Sequence, residues 1–268
     1  MPKKAMPEDR ILILGSSGFI GRKLIQKLQA DNISLLLYER LDVDIDNKIL
    51  EYCPTIVINC TASKGDANFE DSFDANVAFP LKVLKLMSRL KDRISWIQLS
   101  SYFELQIRYG RTDAYAFHKA TIGRILQGNF KETCDVKFLF LPHIVNIDAK
   151  PYSLFSNLDK AYSGKKITLS TSGEQYIPIL HLDDAVTAIC SVLLAPPKTY
   201  FAEPVWYGSL AELLDEFHRL QNIRVYLNKN QRSVDYNFPK MRFEPIPPGW
   251  QAKKDLTAIF KDFEKRGK

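Results

Sequence analysis

Residues Ile11 to Gly21 read I-L-I-L-G-S-S-G-F-I-G. The four leading apolar residues are typical of a strand buried on both faces of a parallel sheet. Three glycines follow at Gly15, Gly18 and Gly21, and apolar residues at helical spacing come next. Strand, glycine turn and helix in this order favour a dinucleotide-binding loop, although a glycine-rich turn without a ligand has the same pattern.

The glycines have separate roles in such a loop. One permits a tight turn, one lets the backbone approach a pyrophosphate, and one lets the helix pack against the strand. The first helical turn then presents unpaired N–H groups and the positive end of the helix dipole to phosphate. The loop residues predicted to contact a cofactor are Gly15, Ser17, Gly18, Phe19, Ile20 and Gly21.

The second predicted strand, Ser34 to Tyr38, is followed by two residues of opposite charge. Glu39 lies 24 residues after Gly15, where an acidic side chain is the expected partner of the adenosine ribose hydroxyl of NAD. Arg40 comes next, and a guanidinium there would instead suit the 2′-phosphate of NADP. The pair leaves the choice between NAD and NADP open.

The charge balance bears on the class of ligand. The 268 residues carry a net charge of +6, with a pI of about 9.0. The basic residues do not cluster on one predicted element, apart from the last helix around Lys253 to Lys268. A mild positive field suits small polyanions such as a cofactor and a nucleotide sugar, so a small-molecule substrate is predicted rather than a nucleic acid.

The sequence predicts neither a membrane protein nor a secreted one. No apolar run approaches the roughly 18 residues of a membrane span, and residues 1–10 lack the apolar core of a signal peptide. The four cysteines have no paired spacing and are expected to be reduced thiols of a cytoplasmic protein. The dispersed histidines predict no metal site.

Short apolar strands alternate with helices through the first 150 residues. This alternation predicts an α/β fold with a Rossmann-type, doubly wound parallel sheet. Ligands of such sheets bind beyond the carboxyl ends of the strands. Further residues predicted to line the cofactor follow the third and fifth strands, namely Cys60, Thr61, Ala62, Pro142 and His143.

The regular alternation ends beyond residue 150. A small substrate-binding lobe is predicted over residues 151–180 and 199–268. It is interleaved with the dinucleotide-binding domain of residues 1–150, to which residues 181–198 are expected to return.

Three polar side chains form a candidate proton-transfer set. Tyr115 and Lys119 lie on one face of a helix predicted over residues 113–127, and Ser101 ends the fourth predicted strand. An ammonium beside a phenol lowers the pKa of the phenol. The set can then pass a proton to or from a substrate oxygen while hydride moves between nicotinamide and carbon. Alternatively, Tyr115 only packs and Lys119 extends to solvent.

Several motifs together resemble the extended short-chain dehydrogenase/reductase family, most closely its nucleotide-sugar epimerases, dehydratases and 4-ketoreductases. The resemblance covers nearly the whole chain. It implies Ser101, Tyr115 and Lys119 as the catalytic triad, with Ser100 as the alternative serine and Glu39 on the cofactor. The motifs are the glycine loop, N-C-T-A at Asn59–Ala62, Asn76, L-S-S at Leu99–Ser101, Y-A-F-H-K at Tyr115–Lys119 and H-L-D-D at His181–Asp184.

Two departures narrow the implied activity. The dehydratases have an acidic pair beside the serine or threonine, where this chain has Tyr102 and Phe103 with Glu104 alone after them. This argues against dehydration. The connection from Ser101 to Tyr115 is short for many of the epimerases and resembles that of compact 4-ketoreductases.

A third departure concerns the diphosphate of the substrate. Ile177 stands where many members of the family have an arginine that grips it. Either other basic residues hold the diphosphate, or the substrate is not a nucleotide sugar. The candidates are Lys165, Lys166, Arg232 and Lys240.

The resemblance thus implies an NAD- or NADP-dependent enzyme that reduces the 4-keto group of a nucleotide-activated deoxysugar for polysaccharide assembly, with Tyr115 as proton donor. A 4-epimerase that retains NAD is the close alternative, and a non-catalytic NAD(P)-binding sensor or scaffold is the distant one. The family also pairs through helices such as those predicted over residues 71–89 and 113–127, so a homodimer is an alternative to a monomer.

Overall fold

The computed structural model describes residues 9–39, 45–63, 68–90, 92–130, 132–145, 154–228 and 243–264. None of the helices in these ranges is both long and apolar enough to cross a membrane. The strands are β1 (Arg10–Leu14), β2 (Ser34–Tyr38), β3 (Ile56–Asn59), β4 (Ile94–Ser101), β5 (Cys134–Leu141), β6 (His143–Val145), β7 (Thr168–Leu169), β8 (Tyr176–His181), β9 (Thr199–Phe201), β10 (Trp206–Ser209) and β11 (Tyr226–Leu227). The helices are α1 (Phe19–Gln29), α2 (Ile45–Tyr52), α3 (Phe69–Phe73), α4 (Phe79–Met87), α5 (Tyr102–Leu105), α6 (Ala114–Asn129), α7 (Leu154–Tyr162), α8 (Leu182–Val192), α9 (Leu210–Gln221) and α10 (Leu256–Glu264).

The apolar stretch at the start of the glycine motif forms β1 inside a six-stranded sheet. The strand order is β2-β1-β3-β4-β5-β9, and every neighbouring pair is parallel. Ile11, Leu12, Ile13 and Leu14 are fully buried, as expected of a strand covered on both faces. The prediction of a Rossmann-type parallel α/β sheet is confirmed.

One apolar cluster of the core fixes the helix that carries the candidate catalytic residues. This cluster joins strand residues such as Trp96 to Met87 of α4 and to Ile122 and Leu126 of α6. All four side chains are buried. Because α6 buries this face against the sheet, its rotation about its own axis is set by packing.

The long helix predicted over residues 71–89 is present and contains a π-helical turn. The chain runs without a gap from α3 through a π-helical turn over Asp74–Ala78 into α4, and the residues at both junctions keep right-handed helical φ and ψ. Pro80 lies in the first turn of α4. Proline lacks the N–H that would continue the ladder, and its ring clashes with the carbonyl four residues earlier. The prediction of a long helix is therefore confirmed, and Pro80 explains the wider turn before α4.

The chain divides into two compact units. The first holds the six-stranded sheet, and the second holds the three-stranded sheet β10-β8-β6 and the pair β11-β7. Apolar residues of α7, α9 and α10 form the core of the second unit. A substrate-binding role for the later segments stays a prediction. The first unit comprises Met1–Leu141, Ala185–Ala202 and Phe243–Trp250, and the second comprises Pro142–Asp184, Glu203–Arg242 and Gln251–Lys268.

The H-L-D-D motif anchors the segment before α10 within the second unit. Asp184 is 3% exposed, and its carboxylate accepts the backbone N–H groups of Lys253 and Lys254 at 3.1 and 2.9 Å. The neighbouring Asp183 is more exposed and pairs with the Lys254 ammonium at 3.2 Å. The buried carboxylate thus holds backbone, whereas its neighbour makes a surface ion pair.

We expect Asp184→Asn to lower the free energy of unfolding by about 1.5–3 kcal/mol, because the amide NH₂ would face a backbone donor in place of a charged acceptor. Asp183→Asn is the matched control, with an expected loss of at most about 1 kcal/mol. Urea denaturation of the three proteins measures both values. Equal losses for the two variants would contradict the anchoring role.

Candidate active site

The glycine loop packs directly on the chain that follows β3. Gly15 has a φ of +75°, and a Cβ there would lie 3.0 Å from the backbone nitrogen of Thr61. A Cβ on Gly21 would lie 2.3 Å from the carbonyl oxygen of Gly15. Only glycine tolerates these approaches, so the motif fixes both the turn and the entry of α1.

The start of α1 is open to an anion. Gly18 is its N-cap and supplies no side-chain acceptor, and no acidic residue lies in the first turn. The first N–H groups of this helix therefore lack a capping side chain. Phe19 and Ile20 provide the first two helical residues, which matches their predicted place at a phosphate.

Glu39 lies against the glycine loop. Its carboxylate accepts hydrogen bonds from the Ser16 hydroxyl and from the Ser17 N–H. The Ser17 hydroxyl donates to its second oxygen at 2.8 Å. The acidic residue is thus held at the carboxyl end of β2, where a ribose hydroxyl is expected, whereas Arg40 lies outside the described residues.

A cavity of about 350 Å³ opens at the carboxyl ends of β1 and β3. The connection that follows β1 and the connection that follows β3 lead in opposite directions along the strand order. Such a switch point is where open α/β sheets bind ligands. Bare glycine backbone, an uncapped helix start and a carboxylate fit a dinucleotide here. The lining residues are Gly15, Ser17, Gly18, Glu39, Cys60, Thr61, Ala62, Ser63, Asp71, Ala75 and Phe79.

Asn59 holds the turn after β3. Its oxygen accepts the Thr61 N–H at 3.1 Å and the Thr61 hydroxyl at 2.6 Å, and its NH₂ donates to Gln98 at 2.9 Å. All three side chains are buried. The sequence showed Asn59 only as part of a motif, and its pairing with Gln98 across β3 and β4 was not predicted.

Lys119 joins α6 to the ends of two strands. Its ammonium donates to the carbonyl oxygens of Thr61 at 2.8 Å and of Leu99 at 3.1 Å. The residue is 2% exposed. The alternative in which Lys119 extends to solvent is therefore wrong.

Tyr115 and Ser101 meet at the end of β4. Both are buried, and Ser101 lies close enough to the Tyr115 phenol to lower the pKa of that phenol. Burial raises the pKa of Tyr115 above its ordinary value, and the carboxylates of Glu104 and Asp113 add to the rise. The expected lowering of this pKa by Lys119 is wrong, because desolvation outweighs the effects that favour phenolate.

Ser100, the alternative serine, lies on the other side of the strand end. Its hydroxyl is buried and makes no hydrogen bond of regular geometry within the described residues. It faces the carboxyl of Glu104, whose pKa it lowers. Of the two serines, Ser101 is the one that contacts Tyr115.

Asn76 lies in the π-helical turn and is almost fully buried. Its NH₂ donates to the carbonyl oxygens of Ser72 and Ser63 at 2.8 and 3.1 Å. The Ser72 hydroxyl also lies 3.0 Å from Nδ1 of His118, the residue before Lys119. This small network was not predicted from the sequence, which shows no spacing that links residues 72 and 118.

Pro142 and His143 belong to the second unit. Pro142 is buried after β5, and His143 is half-buried at the start of β6, paired with Ile179 of β8. Their predicted contact with the cofactor stays a prediction.

Ile177 is half-buried and packs on the apolar core of the second unit. The position at which many family members have an arginine is thus occupied by an apolar side chain that packs on the core. Lys165 and Lys166 are exposed before β7, and Arg232 and Lys240 lie outside the described residues. Within the described ranges, no group of three or more metal-ligating side chains is placed to hold a metal ion.

Solved structures share this fold over nearly the whole chain. UDP-glucose 4-epimerase of Thermus thermophilus in complex with NAD is 15% identical, with a TM-score of 0.75 over 96% of this chain and 98% of that one. UDP-glucuronic acid 4-epimerase of Bacillus cereus in complex with UDP-glucuronic acid and NAD is 15% identical, with a TM-score of 0.78 over 96% and 99%. A monomeric L-threonine 3-dehydrogenase from a metagenome is 18% identical, with a TM-score of 0.73 over 96% and 98%. At these identities the likeness shows the fold alone.

The sequence itself gives the family. No curated protein matches it significantly. The model of the NAD dependent epimerase/dehydratase family matches residues 11–200, which cover β1 to β9. The expected resemblance to extended short-chain dehydrogenases/reductases is confirmed, and the chain belongs to the NAD dependent epimerase/dehydratase family.

Proposed function

We propose that the protein reduces the 4-keto group of a nucleotide-activated sugar with a reduced nicotinamide cofactor. The observation that carries this proposal is the buried phenol of Tyr115 beside Ser101, on the helix α6 that Lys119 ties to the strand ends. The sugar-nucleotide class is supported by the similar structures of a UDP-glucose 4-epimerase and a UDP-glucuronic acid 4-epimerase, the second of which contains UDP-glucuronic acid.

The cofactor proposal rests on the cavity at the switch point. The bound nicotinamide would supply the hydride, and the residues of the chain would bind and orient it. Glu39 at the end of β2 favours NAD over NADP, because its carboxylate accepts from ribose hydroxyls and repels a 2′-phosphate. Lys119 supports the same cavity, since the Thr61 carbonyl that it binds belongs to a lining residue.

Tyr115 is the proton donor in the proposed reduction. A phenol is protonated at neutral pH and can donate to the oxygen of a carbonyl, and burial, which raises its pKa, keeps it in that form. Ser101 holds this phenol and can hold the same substrate oxygen. Hydride supplied by the cofactor to the carbonyl carbon would convert the C=O double bond into a single bond, and Tyr115 would give its proton to the oxygen.

A 4-epimerase is the second candidate, because two of the similar structures are UDP-sugar 4-epimerases with NAD. An epimerase oxidises and re-reduces one carbon without releasing its cofactor, whereas a reductase exchanges the cofactor at each turnover. Cofactor that remains bound through gel filtration would favour the epimerase.

The proposed compartment is the cytoplasm. All four cysteines are free thiols, as expected of a protein kept in a reducing environment. Pairing into a homodimer stays a prediction.

We expect Tyr115→Phe to lower the rate of keto-sugar reduction by about 10²–10⁴-fold, because the variant lacks the proton donor. NADH oxidation followed by absorbance measures the rate. Tyr102→Phe is the matched control, because it removes another buried phenol, which donates to the Ala202 carbonyl oxygen at 2.8 Å, and this variant should retain turnover. Unchanged turnover of every keto-sugar by Tyr115→Phe would refute the catalytic assignment.

We expect Glu39→Ala to weaken NADH binding by about tenfold or more, because a charged acceptor for the ribose is lost. NADPH binding should be unchanged or tighter. Ser17→Ala is the control, since it removes a hydroxyl partner of Glu39 without changing the charge. Isothermal titration calorimetry with both cofactors decides the case, and equal losses for NADH and NADPH would show that Glu39 does not face the ribose.

A further inference from the structure

Glu104 is a buried carboxyl that the proton-transfer scheme above does not use. It lies in α5, directly after β4. Its Oε1 atom is buried and makes no hydrogen bond within the described part of the chain. A carboxyl in such surroundings is costly to ionise, so its position needs a physical explanation.

The space for Glu104 is provided by α6. Tyr115, Lys119 and Gly123 follow one another at intervals of four residues and therefore share one face of this helix. A Cβ built on Gly123 would lie 4.0 Å from Oε2 of Glu104. The carboxyl thus lies on the face that carries the two candidate catalytic side chains, one turn beyond Lys119.

The end of β4 contacts all three groups through consecutive residues. The Leu99 carbonyl accepts from Lys119, the Ser100 hydroxyl faces Glu104, and Ser101 binds the phenol. The carboxyl, the ammonium and the phenol are therefore organised by one three-residue stretch of strand.

The charge of Glu104 changes near neutral pH. Burial raises its pKa to about 7, against smaller lowering effects of Ser100, Lys119 and the Ser101 N–H. Burial also raises the pKa of the Cys60 thiol, which interacts with Lys119, to about 12.

Two further charged groups face the phenol from the segment before α6. These are Asp113, which raises the pKa of Tyr115, and Arg111, which lowers it. They form an ion pair with each other. Because their charges are opposite, their effects on the pKa of the phenol oppose one another. The ionised carboxyl of Glu104 also raises the pKa of Tyr115, and its effect changes with pH.

We propose that Glu104 is a positioning residue of the Tyr115–Lys119 pair. When Glu104 is ionised, Tyr115 loses its proton more slowly, and when Glu104 is neutral, Tyr115 loses its proton more readily. The inference rests on the proposed function, because it takes Tyr115 as the proton donor. As Tyr115 donates, negative charge develops on its oxygen, and an ionised Glu104 opposes that charge through a poorly screened interior. Reduction is therefore faster below the pH at which Glu104 ionises than above it.

The pH dependence of reduction tests the proposal in Glu104→Gln, which has the shape of the neutral form. We expect the wild-type rate to fall by about three- to tenfold as pH rises through about 7. Glu104→Gln should keep the faster rate without this inflection. Glu51→Gln, an exposed change on α2, should retain the wild-type profile. Superimposable profiles for wild type and Glu104→Gln would overturn the proposal.

Infrared difference spectroscopy tests the ionisation of Glu104 and its interaction with Lys119 without turnover. The C=O band of a protonated carboxyl should be present in the wild type at pH 6, be lost by pH 9, and be absent from Glu104→Gln. In Lys119→Met the band should persist to higher pH, because the ammonium that favours the ionised carboxyl is gone. A band that is absent from the wild type, or unmoved in Lys119→Met, would refute the inference. If the bands behave as expected but no keto-sugar is reduced, the proposed function fails, whereas the ionisation of Glu104 beside Lys119 is confirmed.

Discussion

The site depends on one buried ammonium. Lys119 donates to the carbonyl oxygens of Thr61 and Leu99, and so joins α6 to the carboxyl ends of β3 and β4. A charge taken out of water is stabilised only where its donors find acceptors. The two carbonyls supply them, and the contact brings Tyr115 to Ser101 at the end of the same strand. The contacts of Lys119 thereby fix α6, the cofactor cavity and the Tyr115 phenol relative to one another.

The carboxyl ends of the parallel strands lie at one edge of the sheet, and the candidate cofactor-binding residues lie there. The glycine loop, Glu39 and the turn after Asn59 all follow carboxyl ends of strands, and the cavity lies where the connections from β1 and β3 diverge. The glycines exclude side chains from this edge, and the Asn59–Gln98 contact stiffens the turn behind it. Rigid backbone and an open helix start are what a pyrophosphate requires.

The sequence predicted the elements whose signals are local. The apolar run of β1, the glycine turn and the four-residue spacing of Tyr115 and Lys119 each depend on residues close in the chain. The π-helical turn before Pro80 is a local feature that the apolar spacing of this helix does not predict. The raised pKa of Tyr115 could not be predicted, because burial is a property of the packed chain. The same holds for the approach of Glu104 to Gly123, which joins elements that no spacing rule relates.

The family membership and the fold are those of proteins that bind a nicotinamide cofactor, and Tyr115 is the residue proposed to donate the proton. The central claim is that a nicotinamide ring binds within reach of that phenol. A crystal structure of the protein with NADH tests this most directly. We predict the pyrophosphate at the start of α1 and the nicotinamide facing a substrate position beside Tyr115 and Ser101. A cavity closed by side chains, or a nicotinamide bound out of reach of the Tyr115 phenol, would contradict the account.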